Sequence, residues 1–159
     1  MQKHVLSLLV ENHAGVLSRV AGLFSRRGYN IDSLSVGETE NERISRMTIV
    51  VTGDDRILEQ IKKQLNKLID TIKIIEMKQE NAVLRELVLI KLKADETARS
   101  RMIEIANIFR AKIIEVTPET MTVELTGDPN KVQGFMELLK PFEIVEFIRS
   151  GATGIERGI

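Results

Sequence analysis

Two segments of this chain repeat the same local pattern, which limits the folds available to it. Val51-Thr52-Gly53-Asp54 is echoed by Leu125-Thr126-Gly127-Asp128, and in each segment an apolar strand pattern ends just before an Asp that is placed to cap a helix. In the second copy Pro129 follows that Asp at the first helical position, where its missing N–H costs nothing. The chain is therefore predicted to contain two copies of one unit.

The first copy reads in the order strand, helix, strand, strand, helix, strand. A buried strand pattern covers residues 4–10, and Gly28 is placed to end the helix that follows in a left-handed cap. Alternating residues around a polar turn at 38–43 predict a hairpin, and residues 71–77 return as a strand. The buried face of the first helix is predicted to consist of Val16, Leu17, Val20, Leu23 and Phe24.

The same order recurs after the polar residues 78–81, from a strand pattern at 87–92 to a last one at 143–148. We therefore predict an α+β fold of two ferredoxin-like βαββαβ domains, at residues 1–78 and 79–150. Residues 151–159 are rich in Gly and small side chains and are expected to form a flexible tail.

Composition narrows the classes of function. Because 23 basic and 23 acidic residues give a formal net charge of zero, no overall field draws the chain to nucleic acid or to an anionic membrane. The sequence has no Cys for disulfides or thiolate chemistry. It also has no apolar run near the roughly 20 residues that span a bilayer. We expect a soluble, cytoplasmic protein with no nucleic-acid or membrane partner.

Signatures of catalysis are weak throughout the sequence. The two histidines, His4 and His13, are too few for a metal cluster, and no serine-centred elbow or phosphate loop is present. RNA-recognition modules share the βαββαβ order, but they stack bases on aromatic side chains. The corresponding strands, residues 46–51 and 121–126, contain no aromatic residue. We predict no catalytic residue and no metal ligand in this chain.

The turn at residues 11–17 is the strongest candidate for a binding site. The first N–H groups of a helix lack intrahelical partners and lie at the positive end of its dipole, where a carboxylate is stabilised. Gly15 lets the backbone approach an anion closely, and Asn12 offers a donor and an acceptor to an amino acid. The alternative is that Asn12 only caps the helix. The matching segment of the second copy, residues 93–97, has no Gly and two carboxylates, which favours one site per chain.

The residues around this turn resemble a known family. Residues 8–17, followed by Arg19-Val20 and Gly22-Leu23-Phe24, resemble the start of an ACT domain. Residues 25–34 and 45–48 narrow the resemblance to the regulatory (small) subunit of acetolactate synthase, also called acetohydroxyacid synthase. Further matching segments are Gln60-Ile61, Arg85-Glu86-Leu87 and Arg149-Ser150-Gly151. Many relatives have Glu-Asn-Glu or Glu-Asn-Gln where this chain has Glu11-Asn12-His13, which keeps the Asn in place.

The resemblance implies a regulatory role without cofactors on this chain. Members pair through their ACT domains into a homodimer with a continuous sheet, and they bind a branched-chain amino acid, usually valine, at the interface. They activate a large catalytic subunit, which carries thiamine diphosphate, Mg²⁺ and FAD and condenses two pyruvates to acetolactate, and they confer feedback inhibition on it. The matching effector-binding positions are Asn12, Ala14, Gly15, Val16 and Leu17 of one subunit, with Asn30 and Ile31 of the other.

Two other functions stay open at this point. A stand-alone ACT sensor of another enzyme or regulator would share the turn, although the sequence shows no helix-turn-helix and no basic face. A small hydrolase on the same scaffold would need an arginine on a phosphate-cradling loop. Arg19 lies inside the first helix instead, four residues past Gly15, and is expected to face solvent or the partner subunit.

Overall fold

The computed structural model describes residues 2–158 as an α+β protein. The helices are α1 (Val16–Arg26), α2 (Asp55–Asn66), α3 (Glu96–Ile108) and α4 (Pro129–Leu138), with one 3₁₀ turn at Gln79–Asn81. The strands are β1 (Gln2–Glu11), β2 (Ile31–Glu38), β3 (Ile44–Gly53), β4 (Thr71–Met77), β5 (Ala82–Lys93), β6 (Lys112–Val116), β7 (Thr120–Gly127), β8 (Ile144–Arg149) and β9 (Thr153–Glu156).

The chain divides into two compact units with the same topology. The first contains the residues up to Val83 together with those from Ala152 onward, and the second contains Leu84–Gly151. Strand order is β2-β3-β1-β4 in the first sheet and β6-β7-β5-β8 in the second, and the neighbouring strands along each path are antiparallel. The predicted class, two ferredoxin-like βαββαβ domains, is confirmed.

The core of the first unit lies between its sheet and helices α1 and α2. Leu6, Leu8 and Val10 alternate along the central strand β1 and are almost fully buried, as expected for a strand with one face on a core. They pack in one cluster with the inward residues of β3 and the apolar helical faces. Val16 fills the core at the start of α1, whereas Leu17, which was predicted to be buried there, is 45% exposed.

The repeated Asp residues cap helices as predicted. The side chain of Asp54 accepts a hydrogen bond from the N–H of Ile57 at 2.9 Å, and that of Asp128 accepts one from the N–H of Lys131 at 2.8 Å. Pro129 is the first residue of α4, the position at which a helix tolerates proline. The echo in the sequence therefore marks the same strand-to-helix junction in both units.

Residues 153–156 form a strand within the segment 151–159, where a flexible tail was predicted. Strand β9 pairs with β5, and the N–H of Arg157 donates to the carbonyl of Asn81 at 2.8 Å. Both Arg157 and Asn81 belong to the first unit, so the chain returns to that unit after completing the second. The boundary between the units follows Val83, where the sequence analysis placed it after residue 78.

Helices α1 and α3 end in the same backbone motif. Gly28 has φ 71°, and the N–H of Tyr29 donates to the carbonyl of Phe24 at 2.9 Å, which is the left-handed cap that the sequence predicted. After α3 the equivalent residue is Arg110, with φ 57°, and Ala111 makes the equivalent hydrogen bond. The second unit therefore places an arginine in the region of backbone conformation that favours glycine.

We predict that Arg110→Gly stabilises the second unit by about 1 kcal/mol, because glycine adopts positive φ without the steric cost of a β-carbon. Arg110→Ala is the matched control, since it removes the guanidinium but keeps the β-carbon. Urea unfolding followed by circular dichroism measures both. An equal gain in the two variants would attribute the effect to the lost charge and contradict the explanation from φ.

Candidate functional site

The turn between β1 and α1 contains a glycine with a left-handed backbone. Gly15 precedes α1 with φ 88°, in the left-handed region. A β-carbon at this position would also lie 2.9 Å from Nη1 of Arg19, closer than real β-carbons approach other atoms. Positive φ favours glycine at this position, and any larger residue would also displace the flexible end of the Arg19 side chain.

The start of α1 is left uncapped by the described part of the chain. Gly15 has no side chain to accept a hydrogen bond, and the N–H of Val16 reaches the carbonyl of His13 only at 3.4 Å. Within residues 2–158, the N–H groups of Leu17 and Ser18 have no acceptor. Such unpaired N–H groups lie at the positive end of the helix dipole, where an anion is stabilised.

Asn12 does not cap α1, so the alternative interpretation of that residue is wrong. Its side-chain Nδ2 donates to the carbonyl of Glu42 at 2.8 Å, and its backbone N–H donates to the carbonyl of Arg43 at 2.8 Å. Asn12 therefore ties the turn to the β2–β3 hairpin. Its Oδ1 accepts no hydrogen bond from the described residues, which leaves an acceptor suited to an ammonium group.

The other two predicted residues lie at the far end of α1. Asn30 donates to the carboxylate of Asp32 at 3.1 Å, and Ile31 begins β2 and packs partly against the core. An 11-residue helix is about 16 Å long, so residues 12–17 and residues 30–31 do not converge within one chain. Strand β2 is an edge strand of its sheet. The structure thus groups the seven predicted residues into two separate sets.

A cluster of charged side chains lies beside the turn, and no sequence motif marks it. Asp70, with only 5% of its side chain exposed, accepts from Nε of Arg19 at 2.7 Å and lies 3.1 Å from Nε2 of His13. The same Nε2 lies 3.1 Å from the carboxylate of Glu11. Asp70 precedes β4 and is 51 residues from Arg19 in sequence, so no local spacing links the two.

The pairing shifts the titration of this cluster. The Arg19 guanidinium, hydrogen-bonded to Asp70, holds the pKa of that carboxyl below its usual range, and His13 adds to the effect. Hydrogen bonds to the carbonyl of Ala14 and then to Glu11 raise the pKa of His13 above its ordinary value, and the charge of Asp70 contributes in the same direction.

Glu11, His13 and Asp70 each offer a donor atom within 4.8 Å of the others, a spacing that suits a metal ion. Arg19 already occupies one oxygen of Asp70 and supplies positive charge at that point. We assign no metal to the three residues, and the prediction that this chain has no metal ligand stays untested.

The first unit also has a groove along its sheet. It has a volume of about 470 Å³ and is lined by residues of β1, β2, β3 and the C-terminal strand, among them Leu9, Arg46 and Thr48. By strand register these three residues face away from Leu8 and Met47, which belong to the core. None of the seven predicted site residues lines this groove.

Comparison with known proteins supports the fold. A family model described as an AHAS small subunit-like ACT domain matches residues 6–73, and a second model, described as the small subunit of acetolactate synthase, matches residues 85–158. The first of these models contains the whole turn at residues 11–17. Residues 6–73 accordingly form an ACT domain.

Relatives match along nearly the whole chain. The acetolactate synthase small subunit of Mycolicibacterium smegmatis is 54% identical over 155 residues, which are 98% of this chain and 91% of the relative. A probable small subunit from Methanothermobacter thermautotrophicus is 53% identical over 98% of this chain and 93% of its own length. The acetolactate synthase small subunit from Thermotoga maritima has 41% sequence identity to this chain. Its crystal structure matches with a TM-score of 0.90 over 100% of this chain and 99% of that one. This chain belongs to the acetolactate synthase small-subunit family.

Membership has direct implications for partners and pathway. A small subunit implies a catalytic large subunit as its partner, and the family name implies a place in branched-chain amino acid biosynthesis. No helix within residues 2–158 is long and apolar enough to cross a membrane.

We predict a pH-dependent contribution of His13 to the stability of the first unit. Because its pKa is raised in the folded protein, the contribution is fully present below the ordinary value of about 6.5 and is lost as pH rises through the raised value. The loss of unfolding free energy caused by His13→Gln should therefore be larger at pH 6 than at pH 9. Urea unfolding followed by the fluorescence of Tyr29, the single tyrosine in a chain without tryptophan, measures it.

Glu11→Gln is the control for this measurement, since it removes one of the carboxylates that face His13. Asp70 and Arg19, the other charged groups in contact, remain in place. The pH dependence of the His13→Gln effect should be weaker in that background. An effect of His13→Gln that is the same at both pH values would contradict the assigned cause.

Proposed function

We propose that this chain activates the thiamine-diphosphate-dependent catalytic subunit of acetolactate synthase and confers feedback inhibition by valine or another branched-chain amino acid. The observation that carries the proposal is similarity to small subunits over 98% of the chain at more than 50% identity. The reaction to be regulated condenses two pyruvates to acetolactate and CO₂ on a partner that holds thiamine diphosphate, Mg²⁺ and FAD. The regulatory chain supplies no reacting group of its own.

The effector is proposed to bind at the start of α1. Its carboxylate would accept hydrogen bonds from the free N–H groups that follow Gly15, and Oδ1 of Asn12 would accept one from its ammonium group. Val16 contributes its backbone, because its side chain is only 3% exposed and belongs to the core. Leu17, at 45% exposed, is placed to wall the aliphatic side chain of the effector.

The remaining half of the site is proposed to come from a second copy of the chain. Asn30 and Ile31 lie at the opposite end of α1 from residues 12–17 in their own chain. Ile31 begins the edge strand β2, whose outer side carries no partner strand in this sheet. Pairing of two β2 edges would give a continuous sheet. It would bring residues 30–31 of each copy toward residues 12–17 of the other copy. Effector binding and the geometry of the dimer would then be one equilibrium.

Gly15→Asp is expected to abolish valine binding while the protein stays folded, because it places a carboxylate where the carboxylate of the effector would bind. Gly158→Asp is the matched control, since Gly158 also has positive φ, with nothing within 4 Å of the added β-carbon, and lies outside the site. Isothermal titration calorimetry compares the two variants with the parent protein. An unchanged affinity in Gly15→Asp would refute the assignment of the turn.

The regulatory role is tested by mixing the purified chain with its catalytic subunit. Acetolactate production should rise when the chain is added and should fall again when valine is added. The Gly15→Asp variant should still activate the enzyme but should lose most of the inhibition, which separates the two functions. A chain that leaves the rate of the catalytic subunit unchanged would contradict the proposal.

A further inference from the structure

We infer that Arg19 is a binding residue for the carboxylate of the effector and that Asp70 holds it in position. The inference rests on the proposed function and adds to the site a residue that the family resemblance did not assign. It depends on the position of the guanidinium, on its free donors and on a comparison with the second unit.

The guanidinium of Arg19 lies directly over the turn. The backbone N–H of Arg19 donates to the carbonyl of Gly15 at 3.0 Å, one helical turn back, and the side chain folds toward the same residue. Its Nη1 and Cζ lie 2.9 Å and 3.7 Å from the point where a β-carbon of Gly15 would be. The absence of a side chain at position 15 thus brings a positive charge against the uncapped start of α1.

The guanidinium of Arg19 has hydrogen-bond donors that no described residue accepts from. Its Nε donates to Asp70 at 2.7 Å, while neither terminal nitrogen has an acceptor within residues 2–158. The side chain is 46% exposed, so these nitrogens are accessible from solvent. A guanidinium presents its donors in a fixed planar fork that matches the two oxygens of a carboxylate.

Asp70 fixes the orientation of this fork. Its side chain is 5% exposed and contacts both Arg19 and His13, so it is a buried anchor rather than a mobile surface partner. Holding a long side chain in its bound geometry in advance lowers the entropy lost when a ligand arrives. Asp70 therefore acts as a positioning residue, although it does not itself face the effector.

The balance of charge supports the same role. Besides Arg19, the ionisable groups in this cluster are Glu11, His13 and Asp70. Without Arg19 an incoming carboxylate would meet two negative side chains and one histidine. With it, the charge of Asp70 is compensated, and a cation stands where the anion is proposed to bind.

The second unit has an arginine, Arg99, at the equivalent position, and this arginine is hydrogen-bonded to backbone carbonyls of its own unit. The N–H of Arg99 donates to the carbonyl of Asp95, as that of Arg19 does to Gly15, but Nη2 of Arg99 donates to the carbonyls of Thr117 and Pro118 at 3.0 and 3.3 Å. Asp95 also caps α3. The two units therefore share the arginine, and only in the first do both terminal nitrogens lack an acceptor among the described residues.

The test compares valine with valinamide, which has the same ammonium and isopropyl groups but a neutral amide in place of the carboxylate. Calorimetry on the full-length parent protein should show a clear preference for valine. Arg19→Gln should weaken valine binding about 10-fold or more, the size expected when a charge-assisted hydrogen bond is lost, and should change valinamide binding less than about 3-fold. The ratio of the two affinities is the decisive quantity, because a purely structural role of Arg19 would weaken both ligands equally.

Equal losses for the two ligands, or no loss of valine affinity, would overturn the inference while leaving the proposed function intact. A parent protein that binds neither valine, leucine nor isoleucine would overturn the proposed function and this inference with it. Asp70→Asn keeps the charge of Arg19 but loosens its anchor, so the preference for valine should fall less than in Arg19→Gln. If circular dichroism shows that Arg19→Gln is unfolded, Arg19→Lys replaces it, and a preference for valine equal to that of the parent would then count against the fork.

Discussion

The left-handed backbone of Gly15 is the constraint on which the arrangement around the start of α1 depends. It turns the chain from the central strand β1 into the helix within four residues, and it leaves the first N–H groups of α1 without a side-chain cap. The missing β-carbon also makes room for the guanidinium of Arg19. The other helices of the described chain begin differently, because Asp54, Asp95 and Asp128 each satisfy one of these N–H groups internally. Uncapped donors and a nearby cation at one helix start follow from a single residue without a side chain.

Most of the fold could be predicted from sequence because its signals are local. Alternation along β1, the capping Asp at the two strand-to-helix junctions and the left-handed cap at Gly28 each depend on residues within one turn or one strand. The prediction of a flexible tail was wrong for residues 153–156, because small residues and Gly give no strand signal of their own and β9 forms by pairing with a distant segment; Ile159 lies outside the described residues. Leu17 was wrongly predicted to be buried, because helical periodicity does not indicate which residues at the end of an apolar helical face extend past the core.

The candidate site was predictable only in part, and for a related reason. The turn was predictable from Gly15 and Asn12. The contacts of Asn12 were not, because they depend on the β2–β3 hairpin, 30 residues further along the chain. Asp70 could not be predicted as part of the site, because its role depends on contacts with Arg19 and His13, which are distant in sequence. Comparing the two copies was more informative than either alone. They share strand order, an Asp that caps the second helix, and an arginine in the first turn of the first helix. They differ in the cap of the first helix and in whether a terminal nitrogen of that arginine is hydrogen-bonded within the chain.

The separation of the predicted residues by the length of α1 has a genetic consequence under the proposed dimer. Each dimer would contain two effector sites, and each site would combine residues 12–17 of one copy with residues 30–31 of the other. A chain damaged at Gly15 and a chain damaged at Asn30 would each form dimers with two defective sites. A mixed dimer of the two would concentrate both lesions in one site and leave the other complete. Two feedback-resistant alleles could therefore restore inhibition to each other when expressed together, a form of complementation that alleles affecting the same half of the site would not show.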